Sequence, residues 1–409
     1  MKRKGNYLIV TLLLTISSVA AVKAQVFNQN DSLFSQGTPK TGRIWGYAFG
    51  DYYTKQHSDS LVRGGNNQYT GVKKNENAFA FRRIYLGYDY NISKKFSTEL
   101  LLAAEDNATR VNSAGGTTTS GDLLSDNKYS FYIKLANVRW KGIWKGTDLV
   151  IGQSATPAFS GTSEKAWGYR SVERTIADIR RTPSFDLGVA LQGRFDKEAN
   201  YGYDLMVGNG NGDVPENDKY KWFYGDLWAK FFDKKLTVSL YGDYERLNWE
   251  KNWHHSRNMI KAFVGYTNKG FSIGAEGFMN KGKKDVIGIS SQASDTLDAT
   301  ALGLSVFART NIVAGKVAAF ARADFFNPDN KYDNQKYMRY QGFSSRFEAN
   351  TKETFMTAGI DFTPIDRVHI IPNVWYNSFK GQQANLVGAE KRDYDLVYRI
   401  TFNYVFGNK

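Results

Sequence analysis

Apolar and polar residues alternate along many short stretches of this chain, and a period of two is typical of β-strands, whose successive side chains point to opposite faces. The stretch 394–406 shows the pattern most fully. One of its faces is entirely apolar or aromatic, whereas Asp395, Arg399, Thr401 and Asn403 lie on the other. Sixteen such stretches lie between residues 45 and 406. The pattern therefore predicts an all-β protein of about 16 strands.

The connections between these stretches differ in length in a regular way. Tight turns such as 233–235 and 268–270 alternate with long polar segments. The longest connections are the polar segments 106–128, 280–298, 327–352 and 377–393 and the mixed segment 154–186. A membrane-spanning barrel has short periplasmic turns and longer outer loops, whereas a soluble sandwich has no such asymmetry. We therefore predict a transmembrane antiparallel β-barrel over residues 41–409.

The first 24 residues have the composition of a secretory signal. Lys2, Arg3 and Lys4 form a basic start, and residues 7–21 are mostly apolar. We expect residues 1–24 to be a signal peptide and residues 25–40 to be a polar leader. No later stretch approaches the roughly 18 apolar residues of a membrane helix, so a membrane-bound form must span as a closed barrel. These features predict a protein in contact with the lipid of the bacterial outer membrane.

The segment 154–186 is the third long loop of the predicted barrel. A barrel of sixteen strands is too wide for its own side chains to fill, and the aromatic and apolar residues of this segment favour docking against the wall over solvation. We therefore expect the loop to fold into the lumen, although an outward surface loop remains an alternative. Helical spacing would place Arg170, Arg174 and Arg181 on one side and Val172, Ile176 and Ile179 on the other.

Composition narrows the possible functions. The chain has no cysteine and only four histidines, so thiolate zinc sites and cysteine nucleophiles are excluded and a serine–histidine hydrolase is improbable. We expect no catalytic residue, no cofactor and no metal site. The formal net charge of +14 favours anions. Positive and negative residues are interleaved, so nucleic-acid binding is not expected.

Several short motifs resemble the phosphate-selective porin O and P family. These are Val150-Ile151-Gly152-Gln153 followed by Thr156-Pro157, residues 185–193, and Val207-Gly208-Asn209-Gly210, and residues 132–138 also resemble the family. The close matches cover roughly a fifth of the chain. The resemblance implies a sixteen-stranded outer-membrane porin, usually a homotrimer, whose third loop enters the pore and whose arginines and lysines guide anions such as phosphate.

The candidate anion-binding residues follow from that resemblance and from the inward alternation of the strands. The loop contributes Arg170, Arg174, Arg180 and Arg181, and the wall contributes Arg83, Arg194, Arg309, Arg322 and Arg399. A guanidinium group stays charged and offers planar donor pairs to an oxyanion. Neutralisation by Glu173, Asp178, Asp186 and Asp204 is the competing interpretation, in which these arginines brace the barrel.

Two other functions remain open on the sequence. A sugar-specific porin would use an aromatic slide, to which Phe159, Trp167, Tyr169 and Trp375 could contribute, although interfacial girdles also account for aromatics. A secreted soluble β protein that binds surfaces is the second alternative.

Overall fold

The computed structural model describes residues 40–64, 67–105, 109–111, 117–119, 130–247, 255–289, 294–331, 339–342, 351–381 and 392–407. Its first eight wall strands are β1 (Thr41–His57), β2 (Asn77–Asn91), β3 (Phe96–Glu105), β6 (Tyr132–Trp144), β7 (Thr147–Ala155), β8 (Phe185–Arg194), β9 (Tyr201–Gly208) and β10 (Trp222–Phe231). The other eight are β11 (Leu236–Leu247), β12 (His255–Thr267), β13 (Phe271–Ile289), β14 (Ser294–Val313), β15 (Val317–Asn327), β17 (Thr351–Ile365), β18 (Val368–Gly381) and β19 (Arg392–Gly407). Two short strands, β4 (Thr109–Val111) and β5 (Thr117–Thr119), form a separate sheet, and the short β16 (Arg339–Gly342) pairs with the far end of β13.

The sixteen wall strands form one closed antiparallel barrel. Each pairs with its neighbours along the chain, and β1 closes the sheet by pairing with both β2 and β19. Tyr47 of β1, for example, lies opposite Tyr85 on one side and Val405 on the other. Because the barrel is closed, no strand has an unpaired edge. A strand in lipid must have all its backbone groups paired in order to be stable. The predicted fold class is confirmed.

The two ends of the barrel differ as the sequence predicted. At one end, hereafter the short-turn end, the connections are 92–95, 145–146, 195–200, 232–235, 268–270, 314–316 and 366–367. At the other end lie the long connections, which begin with residues 58–76 between β1 and β2. In outer-membrane barrels the short turns face the periplasm.

The outer face of the barrel is an apolar surface. On β19, Tyr398 is 50% exposed and Ile400 is 48% exposed. The alternate residues Arg399 and Thr401 face the interior of the barrel and are buried. Large apolar residues are similarly exposed on most other strands, including Leu240 and Val306. A closed barrel with such a belt is stable in lipid and not in water. The protein is therefore an outer-membrane barrel, and the soluble alternative is wrong.

Some boundaries differ from the predicted ones. Residues 280–298 were expected to be a loop, yet β13 and β14 continue through most of this segment as a ladder with Val286 opposite Leu297. Apolar alternation marks only the part of a strand that faces lipid, so it cannot show where backbone pairing ends. The expected signal peptide, residues 1–24, and the leader up to residue 39 lie outside the described residues.

Candidate functional site

The connection 156–184 between β7 and β8, hereafter the inner loop, folds into the lumen. It contains two five-residue helices, α1 (Ser163–Trp167) and α2 (Ile176–Arg180). Gly168 ends α1 in the left-handed conformation, with φ of 73°. In the described part of the chain, neither helix is long and apolar enough to cross a bilayer.

The predicted helical stripe of arginines is wrong. Arg170 and Arg174 lie in the non-helical segment between α1 and α2, so they do not share a helix face with Arg181. The carbonyls of Ser171, Val172 and Arg174 accept from arginines of the barrel wall and not from the amides of a further helical turn. Val172, Ile176 and Ile179 are all buried, but Val172 precedes α2 and packs in a different apolar cluster from Ile176, so the predicted apolar helix face is not formed either.

The inner loop is docked on the wall by two apolar clusters. Phe159 and Ile176 pack in the first cluster with wall residues that include Trp222 and Met259. In the second, the ring of Tyr169 lies 4.3 Å from that of Phe320, and Trp167 is fully buried. The expectation that the third long loop folds into the lumen is therefore confirmed.

The aromatic residues suggested for a sugar slide are part of this packing. Phe159, Trp167, Tyr169 and Trp375 are at most 5% exposed. A slide needs ring faces that a passing sugar can touch. These four rings therefore do not form one in this structure.

Three arginines of the wall bind the backbone of the inner loop. Arg82 of β2 donates to the carbonyl oxygen of Ser171. Arg399 of β19 donates to the Val172 carbonyl at 2.7 Å. Arg322 of β15 donates to the Arg174 carbonyl at 2.6 Å. The wall thus holds the loop from strands on different sides of the lumen.

The same wall arginines have further partners. Arg322 also donates to the carboxylate of Asp324 at 2.8 Å. Arg399 also donates to the side chains of Asn373 and Gln68. Their donor groups are largely committed to the protein, so Arg322 and Arg399 act as braces in this structure.

Arg82 was missed in the sequence. A bulge in β2 places Arg83 opposite Phe49 and Phe81 opposite Gly50, so Arg82 is the extra residue and both arginines turn inward. Strict alternation assigned only Arg83 to the lumen, where it pairs with Glu105 at 2.7 Å. Two consecutive arginines could have indicated the bulge in the sequence. Strict alternation would place one of them on the lipid face, where a charged residue is costly.

Two adjacent arginines of the inner loop reach different parts of the wall. Arg180 forms a two-point pair with Glu353 of β17, with 3.0 Å between Nη1 and Oε1 and 2.7 Å between Nη2 and Oε2. Arg181 pairs with Asp243 of β11 at 2.7 Å. Its guanidinium also lies 4.4 Å from the centre of the Trp222 ring. Both arginines are buried and neutralised by these carboxylates.

Arg170 is neutralised within the loop itself. It pairs with Glu164 and, at 2.9 Å, with Asp178. Burial alone would raise the pKa of Asp178, but the guanidiniums of Arg170 and Arg174 lower it below its usual value. Burial outweighs the same attraction at Glu164 and raises the pKa of that carboxyl. Arg174 is more exposed, with 24% of its side chain accessible and 3.9 Å to Asp178.

Two of the nine predicted arginines lie at the short-turn end. Arg194 lies beside the turn 195–200 and donates to the Lys197 carbonyl, so its assignment to the constriction is wrong: inward alternation gives the face of a residue and not its depth. Arg309 of β14 lines a cavity of about 40 Å³ together with Tyr169 and Asp361.

Among the described residues, the buried Nε atom of Arg309 has no hydrogen-bond partner, and Asp361 attracts its guanidinium without forming an ion pair with it. Asp361 is instead bound to His369 at 2.8 Å. Arg309 is therefore the predicted site residue with the fewest contacts to the rest of the described protein.

Carboxylates also face the lumen, on the wall away from Arg309. Glu99 of β3 accepts from Asn137, Asp204 of β9 accepts from Gln192, and Asp226 of β10 accepts from Ser239. Asp204, named in the sequence as a partner for arginine, therefore binds an amide instead. Asp186 accepts from Tyr224 and the Gly210 backbone. These acids are thus held by neutral donors, with no arginine or lysine within ion-pair distance among the described residues.

A second inward loop was not predicted. In residues 58–76, Tyr69 is buried and donates to Asp51 of β1 at 2.7 Å. Lys55 pairs with Asp395 at 2.9 Å beneath this loop. Asn67 donates to Glu353 at 2.7 Å, so the two inward loops share one carboxylate.

Comparison with known sequences finds no relative of this chain. No protein-family model matches it, and no curated protein matches it in sequence. Comparison with solved structures, by contrast, supports the fold.

Among solved structures, the outer membrane channel DcaP of Acinetobacter baumannii is similar, with a TM-score of 0.61 and 9% identity over 91% of this chain and 99% of that one. The anion-selective porin from Comamonas acidovorans has a TM-score of 0.57 and 10% identity over 90% and 100%. OmpF of Salmonella typhi has a TM-score of 0.57 and 9% identity over 90% and 98%. At these identities the similarity shows a shared porin-type barrel and no more.

Proposed function

We propose that this protein is an outer-membrane channel through which small hydrophilic solutes diffuse passively, with a preference for anions. The observation that carries the proposal is the inner loop, which is fixed inside a lipid-embedded barrel by contacts to β2, β11, β15, β17 and β19. A sixteen-stranded barrel without such a loop would be a wide aqueous pore. The loop narrows the lumen, so solutes are selected by size and charge.

We assign the preference for anions to fewer arginines than the nine that the sequence indicated. Arg83, Arg170, Arg180, Arg181, Arg322 and Arg399 are occupied by carboxylates or carbonyls of the protein. Arg309, whose buried Nε has no hydrogen-bond partner among the described residues, is best placed to attract a solute. Arg174 is the most exposed arginine of the inner loop, although it lies 3.9 Å from Asp178. Inorganic phosphate fits this chemistry because a guanidinium offers paired donors to an oxyanion. The carboxylates of β3, β9 and β10 repel anions, so we expect only a modest preference for anions over cations.

Two features of similar structures support parts of the proposal. One similar protein is described as an anion-selective porin. Another, OmpT of Vibrio cholerae, was solved in a trimer form, with a TM-score of 0.52. We propose a homotrimer here as well, which crosslinking in detergent would test.

Size-graded uptake tests the proposed diffusion. Proteoliposomes containing the refolded barrel should admit small sugars faster than larger ones and should admit phosphate without an energy source. Liposomes with the heat-denatured protein are the control. Equal, negligible uptake in both preparations would refute a diffusion channel.

A further inference from the structure

Each of the seven short turns in the described structure carries an exposed lysine or arginine. One such residue from each turn is Lys94, Lys145, Lys197, Lys234, Lys269, Lys316 and Arg367. Two turns carry a second cation, Lys95 and Lys235. Exposed acids in these turns are fewer, namely Glu198, Asp233 and Asp366. The short-turn end of the barrel is therefore a ring of positive charge.

A large apolar residue lies beside the cation at each turn. Six of these residues are Ile92, Trp144, Phe195, Phe232, Val313 and Ile365, and Phe271 follows the seventh turn directly. Their exposed fractions range from 43% for Phe271 to 71% for Phe232. Exposed side chains of this size are unfavourable in water and favourable at the edge of a bilayer.

Most of the cations in this ring are not used by the protein itself. Within the described residues, Lys94, Lys95, Lys145, Lys197, Lys234 and Lys269 form no ion pair with a carboxylate. Arg367, by contrast, donates to the Gly407 carbonyl at 2.6 Å. Six ammonium groups are therefore available to a ligand outside the chain.

We propose that this ring binds the phosphate groups of anionic phospholipids in the periplasmic leaflet. The apolar residue at each turn would lie among the upper parts of the acyl chains. The neighbouring lysine would extend its aliphatic stem along the apolar surface and place its ammonium at the level of the phosphates. Lysines held at the level of anionic headgroups are attracted to them, and this attraction weakens as salt is added.

The occurrence of a lysine or arginine together with a large apolar residue at each turn indicates that the ligand of the ring is a lipid. A soluble anion would be attracted by the lysines alone and would leave the apolar residues in water. A lipid satisfies both partners at every turn. The inference does not depend on whether the barrel conducts solutes.

Lipid selectivity measured by spin labels tests the assignment. The full mature barrel is reconstituted in phosphatidylcholine, and the association of spin-labelled phosphatidylglycerol is compared with that of spin-labelled phosphatidylcholine. We expect a preference of roughly twofold to fivefold for phosphatidylglycerol. It should fall towards one in 1 M salt, where the Debye length is about 3 Å.

Two variants with equal loss of charge give the comparison. In the ring variant, the six unpaired lysines are replaced by glutamine, and the preference should fall to about one. In the control variant, six exposed lysines at the opposite end are replaced by glutamine, namely Lys73, Lys74, Lys219, Lys281, Lys283 and Lys352. This variant should keep the wild-type preference. Heat-modifiable gel mobility verifies that each barrel is folded.

Several results would overturn the inference. A ring variant with wild-type lipid selectivity, or a control variant that loses as much, would refute it. Wild-type binding to purified peptidoglycan that the ring variant loses, with lipid selectivity unchanged, would assign the ring to the cell wall instead. If the six-fold variant does not fold, Lys145→Gln with Lys234→Gln must lower the preference by an intermediate amount.

Discussion

Arg180 of the inner loop and Glu353 of β17 form a two-point ion pair although 173 residues separate them in the chain. Both side chains are buried, with 4% and 1% exposed. Asn67 of the second inward loop, residues 58–76, and Asn377 of β18 donate to the same carboxylate. Glu353 therefore fixes two loops and two strands to one point of the lumen.

Removing one partner of this pair should loosen the inner loop. Arg180→Ala leaves the buried Glu353 carboxylate without its charged partner, and we expect a loss of about 3–5 kcal/mol in the free energy of unfolding. Arg180→Ala with Glu353→Gln should recover part of the loss, because the unpaired charge is gone. Urea unfolding measured by gel mobility would show this, with Arg194→Ala as a control that changes little.

A charge on the lipid face should destabilise the barrel. Ile400 lies in the middle of β19 and is 48% exposed on the apolar outer surface. We expect Ile400→Arg to cost about 2–4 kcal/mol at the midplane of the bilayer, and Ile400→Leu to cost far less. Folding equilibria in lipid vesicles measure the difference. Equal stability of the two variants would mean that this face of β19 is not in lipid.

The preference for anions should depend on Arg309. Arg309→Gln removes a charge that forms no ion pair in the described part of the chain and whose buried Nε has no hydrogen-bond partner there. We expect the reversal potential in a salt gradient to shift towards the cation value. Arg194→Gln removes one charge at the same end of the barrel but away from the cavity. This variant should shift the reversal potential less. Identical shifts would mean that net charge at this end, and not the cavity, sets the selectivity.

The inner loop should remain docked in mild acid. Burial opposes ionisation of Glu173 and Asp178, but nearby arginines lower the pKa of each carboxyl below its usual value. A lowered pKa gives stability that is present above the unfolded-state values of about 4.3 for glutamate and 3.9 for aspartate and is lost as the pH falls through the folded-state value.

The unfolding midpoint should therefore change little from pH 7 to pH 5 and fall steeply only below about pH 4. The raised pKa of Glu164 acts in the opposite sense, since its protonation on acidification removes a buried charge. Asp178→Asn should make the fall below pH 4 shallower. A wild-type midpoint that drops already between pH 7 and pH 5 would contradict this assignment.

The wall of the barrel could be predicted because each strand carries its own evidence. In β19 the alternation of Tyr398 and Ile400 with Arg399 and Thr401 is a local consequence of having lipid on one face and a polar interior on the other. The inward position of the third loop also followed from its own apolar residues, such as Val172.

The partners inside the lumen could not be predicted in the same way. Which carboxylate Arg180 meets depends on how a folded loop lies against a strand far away in sequence, and no periodicity encodes that. The bulge at Arg82 and the depth of Arg194 are likewise invisible to alternation. The sequence therefore indicated which residues face inward, and only the structure separates those that brace the loop from Arg309.

Single-channel recording in a planar bilayer tests the central claim most directly. The account predicts stepwise, ohmic currents in symmetric salt and a reversal potential on the anion side in a salt gradient. Deleting residues 163–180 should raise the conductance, because the inner loop narrows the lumen. Barrels that insert and show heat-modifiable mobility but pass no current, with or without the inner loop, would contradict the account.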